Sequence, residues 1–576
     1  MRERLLACVL GAAVVAIATT GAAPGYAAAS APTAVIVQCR PGAAAAVAAL
    51  VARDGGTATA VLRGTDTVLA RVPSARLAAL RVAPGVAGVT ADAQVHLAGQ
   101  KWQPDGDPFS MYSVDSLTGA LAAFGMQDAK QQNLTGRGIG VALIDSGISP
   151  VQGLNTPGKI VNGPDLSFES PSPTLRYLDS FGHGTHMAGI IAGRDPGIAA
   201  GKEQKAAEKS FVGMAPDATL VNVKVAAADG AVDVSQVIAG IDWVVTHRAD
   251  PGLNIRVLNL SFGTDSVQDE RLDPLSHAVE AAWRNGIVVV AAAGNDGVTH
   301  TAVSMPAANP YVIAVGAADS NGTSGRADDL VASFSTGGSA VRHPDLLAPG
   351  RSIASLRDPN SYIDVNYPTG LIPNDASQRF FRGSGTSQAT AVVSGAAALL
   401  LQQRPNLTPD QVKALLTGTA TRLNPQLAPL SGNPLAQGAG ELDLQAALTT
   451  ATPVGAAQTW TAATGTGSLE ASRGTAFVRD PVTGIELHGE QDIMGQSWTA
   501  ASWAARESAG TAWTGSVWNH RSWGGAGFTG TDWAGTPWAV QSFTFSGGSW
   551  TGRSWTGRSW TGRSWTDGYW SSASWS

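Results

Sequence analysis

Between about residues 113 and 450, short unbroken apolar runs alternate with stretches of helical periodicity, and this alternation narrows the fold more than any other feature. The runs lie at 140–144 (GVALI), 220–225 (LVNVKV), 257–262 (VLNLSF), 287–293 (IVVVAAA) and 311–315 (YVIAV). A strand with one wet face alternates apolar and polar residues. One that is apolar throughout is covered on both faces, which calls for a parallel sheet between two helix layers. One intervening helix is signalled in full: Asp273 caps it, Pro274 takes the first turn, Leu275, Ala278, Val279, Ala282 and Trp283 form the stripe, and Gly286 ends it. Residues 387–402 are apolar nearly all round and predict a helix through the core. The expected class is α/β, a doubly wound and mostly parallel sheet.

The flanks have other textures. Residues 1–29 place Arg2 and Arg4 before an apolar run and end on Gly25–Tyr26–Ala27–Ala28–Ala29, the pattern of a secretory signal peptide cleaved near 27–29. A membrane anchor fits less well, because the run is rich in Ala, Gly and Thr and no long apolar span lies near the C-terminus. Residues 30–100 predict strands at 34–38, 57–62, 67–72 and 86–95 with helices at 43–53 and 73–82, a ferredoxin-like βαββαβ unit. A polar linker follows at 99–112, and the α/β region occupies the rest of 101–450. Residues 451–576 are rich in Thr, Gly and Trp and hold 14 of the 17 tryptophans. A hairpin is expected around 480–484. From Trp498 onward aromatic residues recur every five positions, a spacing that puts them on one face of neither a helix nor a strand. The expectation there is a low-complexity Trp-repeat tail, with attachment to cell-wall polysaccharide as its functional reading. Lys+Arg 38 against Asp+Glu 44 offers no basic field for nucleic acid. Two cysteines, Cys8 and Cys39, exclude a disulfide scaffold.

In a parallel sheet, reactive groups gather where strands end and helices begin. Four such junctions carry Asp145 in ALIDSG, His183 in FGHGTHMAGIIAG, Asn295 in AAAGNDG and Ser387 in GSGTSQATA. A serine hydroxyl becomes a useful nucleophile when an imidazole takes its proton and a carboxylate holds that imidazole. An amide side chain and the backbone N–H at a helix start can receive the oxyanion that forms. Each residue also has an ordinary reading. Asp145 could cap a turn, Asn295 could sit in an Asn–Asp–Gly turn, and Ser387 could cap a helix. His183 with His186 could form a metal pair, although no third ligand clusters with them.

Taken together, VALIDSG, HGTHMAGI and GTSQA, in the order Asp, His, Ser, resemble the subtilisin-like serine peptidases, the subtilases. Matching flanks occur at 212–225, 258–263, 306–317 and 346–350, so the resemblance covers roughly 130–450. It implies that Asp145 orients the imidazole, His183 is general base and then acid, Ser387 is the nucleophile and Asn295 serves the oxyanion hole. It also implies that Ser261, Phe262 and Gly263 form one wall of the substrate cleft, Ala292, Ala293 and Gly294 a second, and Gly230, Ala231 and Val232 an edge strand opposite. Two positions depart from the family pattern: Thr390–Ala391 stand where a small residue and Pro are frequent, and Val232 stands where Gly is frequent. The implied protein is a secreted endopeptidase acting on polypeptides. Residues 30–100 would be its propeptide and inhibitor, cut away within 97–112. No cofactor is required. Structural calcium is an expectation from the family, with no ligands assigned and no metal site read from the residues. The alternative is a catalytically idle surface or cell-wall-binding protein on the same scaffold.

Overall fold

A computed structural model describes residues 33–62, 66–91 and 115–538, apart from Glu208, Ser324, Asn374, Ala476 and residues 425–432 and 524–529. The expected signal peptide, the 99–112 linker and the repeats beyond 538 lie outside the described residues. The chain divides into two compact units, residues 1–98 and 99–576.

In the first unit, β1 (Thr33–Cys39), α1 (Ala44–Arg53), β2 (Thr57–Leu62), β3 (Thr67–Val72), α2 (Leu77–Arg81) and β4 (Val86–Ala91) follow one another. The strands form one antiparallel sheet in the order β2-β3-β1-β4. Val35, Val37 and Cys39 alternate inward on β1 and meet Val47 and Val51 of α1, which makes this unit's own core.

The second unit carries the large sheet. Its earlier elements are α3 (Asp115–Phe124), β5 (Gly140–Asp145), β6 (Ile160–Asp165), α4 (His183–Ala192), α5 (Glu203–Ala206), β7 (Thr219–Lys224), α6 (Val234–His247) and β8 (Ile255–Leu260). They are followed by α7 (Pro274–Arg284), β9 (Val288–Ala292), β10 (Ile313–Asp319), β11 (Leu330–Val331), β12 (Leu346–Pro349), β13 (Ile353–Leu356), α8 (Tyr362–Asn366), β14 (Phe380–Gly383) and α9 (Thr386–Gln403). The strand order is β11-β10-β9-β8-β5-β7-β6, with β12 also on β10, and every pairing except β10 with β11 is parallel. All five apolar runs lie in or overlap central strands. The run at 311–315 starts its strand only at Ile313, because Asn309 Oδ1 accepts the Tyr311 N–H at 2.8 Å and holds a turn there. The helix from Pro274 is capped as predicted, Asp273 accepting from Leu275 N at 2.8 Å. Helix α9 is buried almost throughout and packs on β8, β9, β10 and α4.

The segment after 450 departs from expectation. After α10 (Pro409–Gly418) and α11 (Leu444–Thr449), the chain folds back as α12 (Leu469–Arg473), the expected turn at 480–484, and α13 (Ala500–Ser508). A meander of β15 (Trp513–Thr514), β16 (Val517–Trp518) and β17 (Arg521–Ser522) ends this stretch. Through Trp538 it is therefore no low-complexity tail. Trp498, Trp503, Trp513, Trp518, Trp523 and Trp538 are buried in the same core as the central sheet. Within the meander, the five-residue spacing is that of very short arms joined by tight turns, β15 delivering Trp513 and β16 Trp518 inward, whereas Trp503 is delivered by α13. Two of these, Trp503 and Trp518, donate Nε1–H to Asp242 Oδ2 on α6 at 2.9 and 2.8 Å.

Candidate active site

Parallel pairing aligns the C-terminal ends of β5, β8 and β9 along one edge of the sheet, and the predicted residues stand there. Asp145 closes β5, and His183 begins α4. Both are buried, and His183 Nδ1 lies 2.7 and 2.9 Å from the two carboxylate oxygens of Asp145. With Nδ1–H committed to that carboxylate, Nε2 is the imidazole nitrogen able to accept a proton. Gly184 is required beside this pair, since a Cβ there would lie 2.1 Å from the Gly147 carbonyl oxygen. Ser387 is the second residue of α9 and is buried; its Oγ donates to the Ser261 carbonyl at 3.0 Å, and Ser261 Oγ returns a bond to Ser387 O at 3.2 Å. Asn295 reaches the same helix start, its Oδ1 accepting from Thr386 N at 2.9 Å and Thr386 Oγ1 at 3.1 Å. That engagement fixes the amide and leaves Nδ2 as its donor. The structure thus joins Asp145 to His183, and Asn295 to the end of α9 that bears Ser387. The hydroxyl itself is directed at Ser261 O.

The segments expected to wall the cleft adopt different conformations. Ser261–Phe262–Gly263 leaves β8 and leads into Thr264, which pairs with Met305 through bonds of 2.8 and 2.9 Å. Ala292 ends β9. Gly294 has φ +111 and would bring a Cβ to 2.5 Å from Ser304 Oγ, so a larger residue cannot stand there. Gly230–Ala231–Val232 is not a strand. Gly230 N donates to Ala227 O at 2.8 Å and Ala227 N to Ala231 O at 3.2 Å, which closes a tight turn just before Asp233 caps α6. Gly230, at φ +81 within that turn, breaks the extended conformation the edge-strand reading requires. The absence of Pro after Ser387 leaves α9 intact: it starts at Thr386, and Thr390 Oγ1 donates back to Thr386 O at 2.7 Å.

Sequence reasoning passed over the groups behind the pair. Asp179 accepts from Gly182 N and Thr185 N, both at 2.7 Å, and from Ser146 Oγ at 2.8 Å. Ser146 Oγ in turn accepts from Gly184 N at 3.0 Å. Because the N-cap of α4 is Gly182, which has no side chain, Asp179 and Ser146 satisfy its first amides from outside the helix. The only sequence signal was an acid four residues ahead of His183. Burial raises the pKa of Asp179, and burial together with Asp179 pushes Asp358 up to about 8. His186 has a different environment: its Nε2 bonds the Phe381 carbonyl at 3.1 Å, and burial pushes its pKa down to about 3. His183 and His186 therefore serve separate partners and do not form a metal pair. Among the described residues, no group of three or more His, Cys, Asp or Glu could hold a metal ion.

Residues 136–440 match the subtilase family. The chain is 40% identical over 291 residues to serine protease AprX of Bacillus subtilis (strain 168), a match covering 50% of this chain and 62% of that one. Subtilisin E of the same strain is 35% identical over 323 residues, 55% of this chain and 67% of its own. The minor extracellular protease Epr, also of that strain, is 34% identical over 288 residues, covering 50% of this chain and 36% of its own. The chain thus spans less than two thirds of AprX.

Proposed function

The chain belongs to the subtilase family, and from that premise we propose that it is a secreted serine endopeptidase that hydrolyses polypeptides through an acyl-enzyme on Ser387. The observation that carries the reading is the buried contact of His183 Nδ1 with both oxygens of Asp145, on a helix packed against α9, whose second residue is Ser387. In the reaction Ser387 turns its hydroxyl from the Ser261 carbonyl to His183 Nε2, which takes the proton as oxygen attacks the scissile carbonyl carbon. Asp145 stabilises the imidazolium. Asn295 Nδ2 and the Ser387 backbone N–H donate to the oxyanion, aided by the positive end of α9. The imidazolium then protonates the departing amine nitrogen, the C–N bond breaks, and water attacks the ester by the reverse route. Side chains and the Ser387 backbone N–H supply each step, so the reaction requires no cofactor, and structural calcium keeps no assigned ligands.

Residues 30–100 act in this reading as a propeptide that occupies the enzyme until the 97–112 linker is cut. Export follows from the head of the chain, and no helix among the described residues is long and apolar enough to cross a membrane. Attachment to cell-wall polysaccharide now rests chiefly on residues 539–576, since Trp498, Trp503, Trp513, Trp518, Trp523 and Trp538 are buried in the core. A chain ending at 538 that pellets with cell walls as well as the full protein does would remove that part.

The test of the main reading is digestion of a peptide library by the secreted protein and by Ser387→Ala. Cleavage by the former alone is expected; equal cleavage, or none by either, favours the idle scaffold.

A further inference from the structure

The match to the family ends at residue 440, yet a four-residue stretch of the later chain, Ser472–Arg473–Gly474–Thr475, reaches the base of two segments assigned to the substrate cleft. Toward one of them, Arg473 donates from Nε to Asp233 Oδ1 at 2.6 Å and from Nη2 to Asp233 Oδ2 at 3.4 Å, both side chains fully buried. Asp233 directly follows Gly230–Ala231–Val232 and caps α6 by accepting from Ser235 N at 2.9 Å. Toward the other, Ser472 O accepts from Thr264 Oγ1 at 2.8 Å. Asp265 accepts from Thr475 N at 2.9 Å and from Thr475 Oγ1 at 2.7 Å. Thr264 and Asp265 directly follow Ser261–Phe262–Gly263. Between the two attachments Gly474 has φ +63, and a Cβ there would lie 2.3 Å from Asp265 Oδ1, so the close approach needs glycine. Arg473 is also anchored within its own segment, by Gly489 O at 2.8 Å and Gln491 O at 2.6 Å.

We infer that Arg473 and Thr475 are positioning residues that tie the turn at 230–232 and the 261–263 segment to one another, so that a polypeptide lying along 261–263 meets that turn in a fixed place. A guanidinium facing a carboxylate fixes both distance and orientation, and Arg473 brings that fork from α12, beyond the end of the family match. Without it, Asp233 keeps a buried charge with no cation, which draws the start of α6, and the turn before it, toward water. Neither residue contacts Asp145, His183, Asn295 or Ser387 in the described hydrogen bonds. The effect therefore falls on binding of substrates long enough to reach from 261–263 to the 230–232 turn, and spares a small ester that engages only the nucleophile.

The inference rests on the peptidase reading, and one experiment separates the two. Hydrolysis of a blocked tetrapeptide anilide and of a blocked single-residue ester is measured for the full-length wild type, Arg473→Met, and Thr475→Val. If the wild type cleaves neither substrate, the peptidase reading fails. If it cleaves them, Arg473→Met is expected to raise KM for the anilide at least tenfold while kcat and ester hydrolysis stay within threefold. Thr475→Val, which strands no buried charge, is expected to raise the anilide KM about threefold with the ester unchanged. Should Arg473→Met fail to fold, the Thr475→Val comparison decides. Equal effects on both substrates, or no effect of either variant, overturn the inference.

Discussion

His183 and His186 stand one helical turn apart on α4, and their neighbours send them in different directions. His183 faces a carboxylate, whereas His186 faces a carbonyl and is buried, which pushes its pKa down to about 3. His186 therefore stays neutral in the folded protein at pH values where the unfolded chain takes up a proton. The stability this provides is complete above about pH 6.5 and is lost as pH falls toward about 3, by about 1.4 kcal/mol per unit. His186→Gln keeps a donor for the Phe381 carbonyl and removes the titration. In urea melts, its loss of stability between pH 6.5 and 4.5 is expected to be smaller than that of the wild type by about 2–3 kcal/mol. At Asn295, replacement by Ala is expected to lower kcat by about 10²–10³, the scale known for such a donor in a subtilisin, with little change in KM. Steady-state kinetics on a peptide anilide checks it. Asp145, His183, Asn295 and Ser387 were legible in the sequence because each ends an apolar strand or starts a small-residue helix. Ser146 and Asp179 were not, since a hydroxyl and an acid that cap a neighbour's amides follow no periodic pattern.

Elements buried on both faces were equally legible. The central strands read as unbroken apolar runs, and α7 announced its cap and its end. Edge strand β6, with the sequence IVNGPD and partial exposure, carries no such signature. The stretch from α12 to Trp538 hid for a different reason: a spacing of five fits no single helix or strand, and here it is spread over a helix that carries Trp503 and two-residue arms that carry Trp513 and Trp518. Its burial makes quantitative demands. Trp503 on α13, 1% exposed and bonded to Asp242 of α6, is expected to cost about 3–5 kcal/mol on replacement by Ala, measured by urea denaturation. Asp242, which receives the two indole N–H groups, has its pKa raised to about 7, first by burial and then by Glu507. It holds a proton when folded that the unfolded chain releases near pH 4, so its contribution is fully present below that point and is lost as pH rises to about 7. Asp242→Asn keeps an acceptor for both indoles without the charge. Its thermal midpoint is expected to fall less than that of the wild type between pH 4 and 7; parallel slopes would contradict the assignment.

At the scale of the whole molecule, the peptidase core and the chain through Trp538 share one hydrophobic core, although the family match stops at 440. A protein ending at residue 538 is therefore expected to be secreted and active. One ending at 450 leaves Asp233 without Arg473 and uncovers the surface on which Trp503 and Trp518 lie. It is expected to yield little soluble protein in a secretion assay. The N-terminal unit supplies a further check on self-processing. Ser387→Ala, expressed in a host without other proteases, is expected to retain residues 30–100 on the chain, as read from its terminal mass. The most direct measurement treats the mature protein with a fluorophosphonate and maps the adduct by peptide mass spectrometry. A single phosphonylated residue at Ser387, lost in His183→Ala, is the expected result. Absence of that adduct from the folded wild type, or its undiminished formation in His183→Ala, would contradict the proposed catalytic assembly.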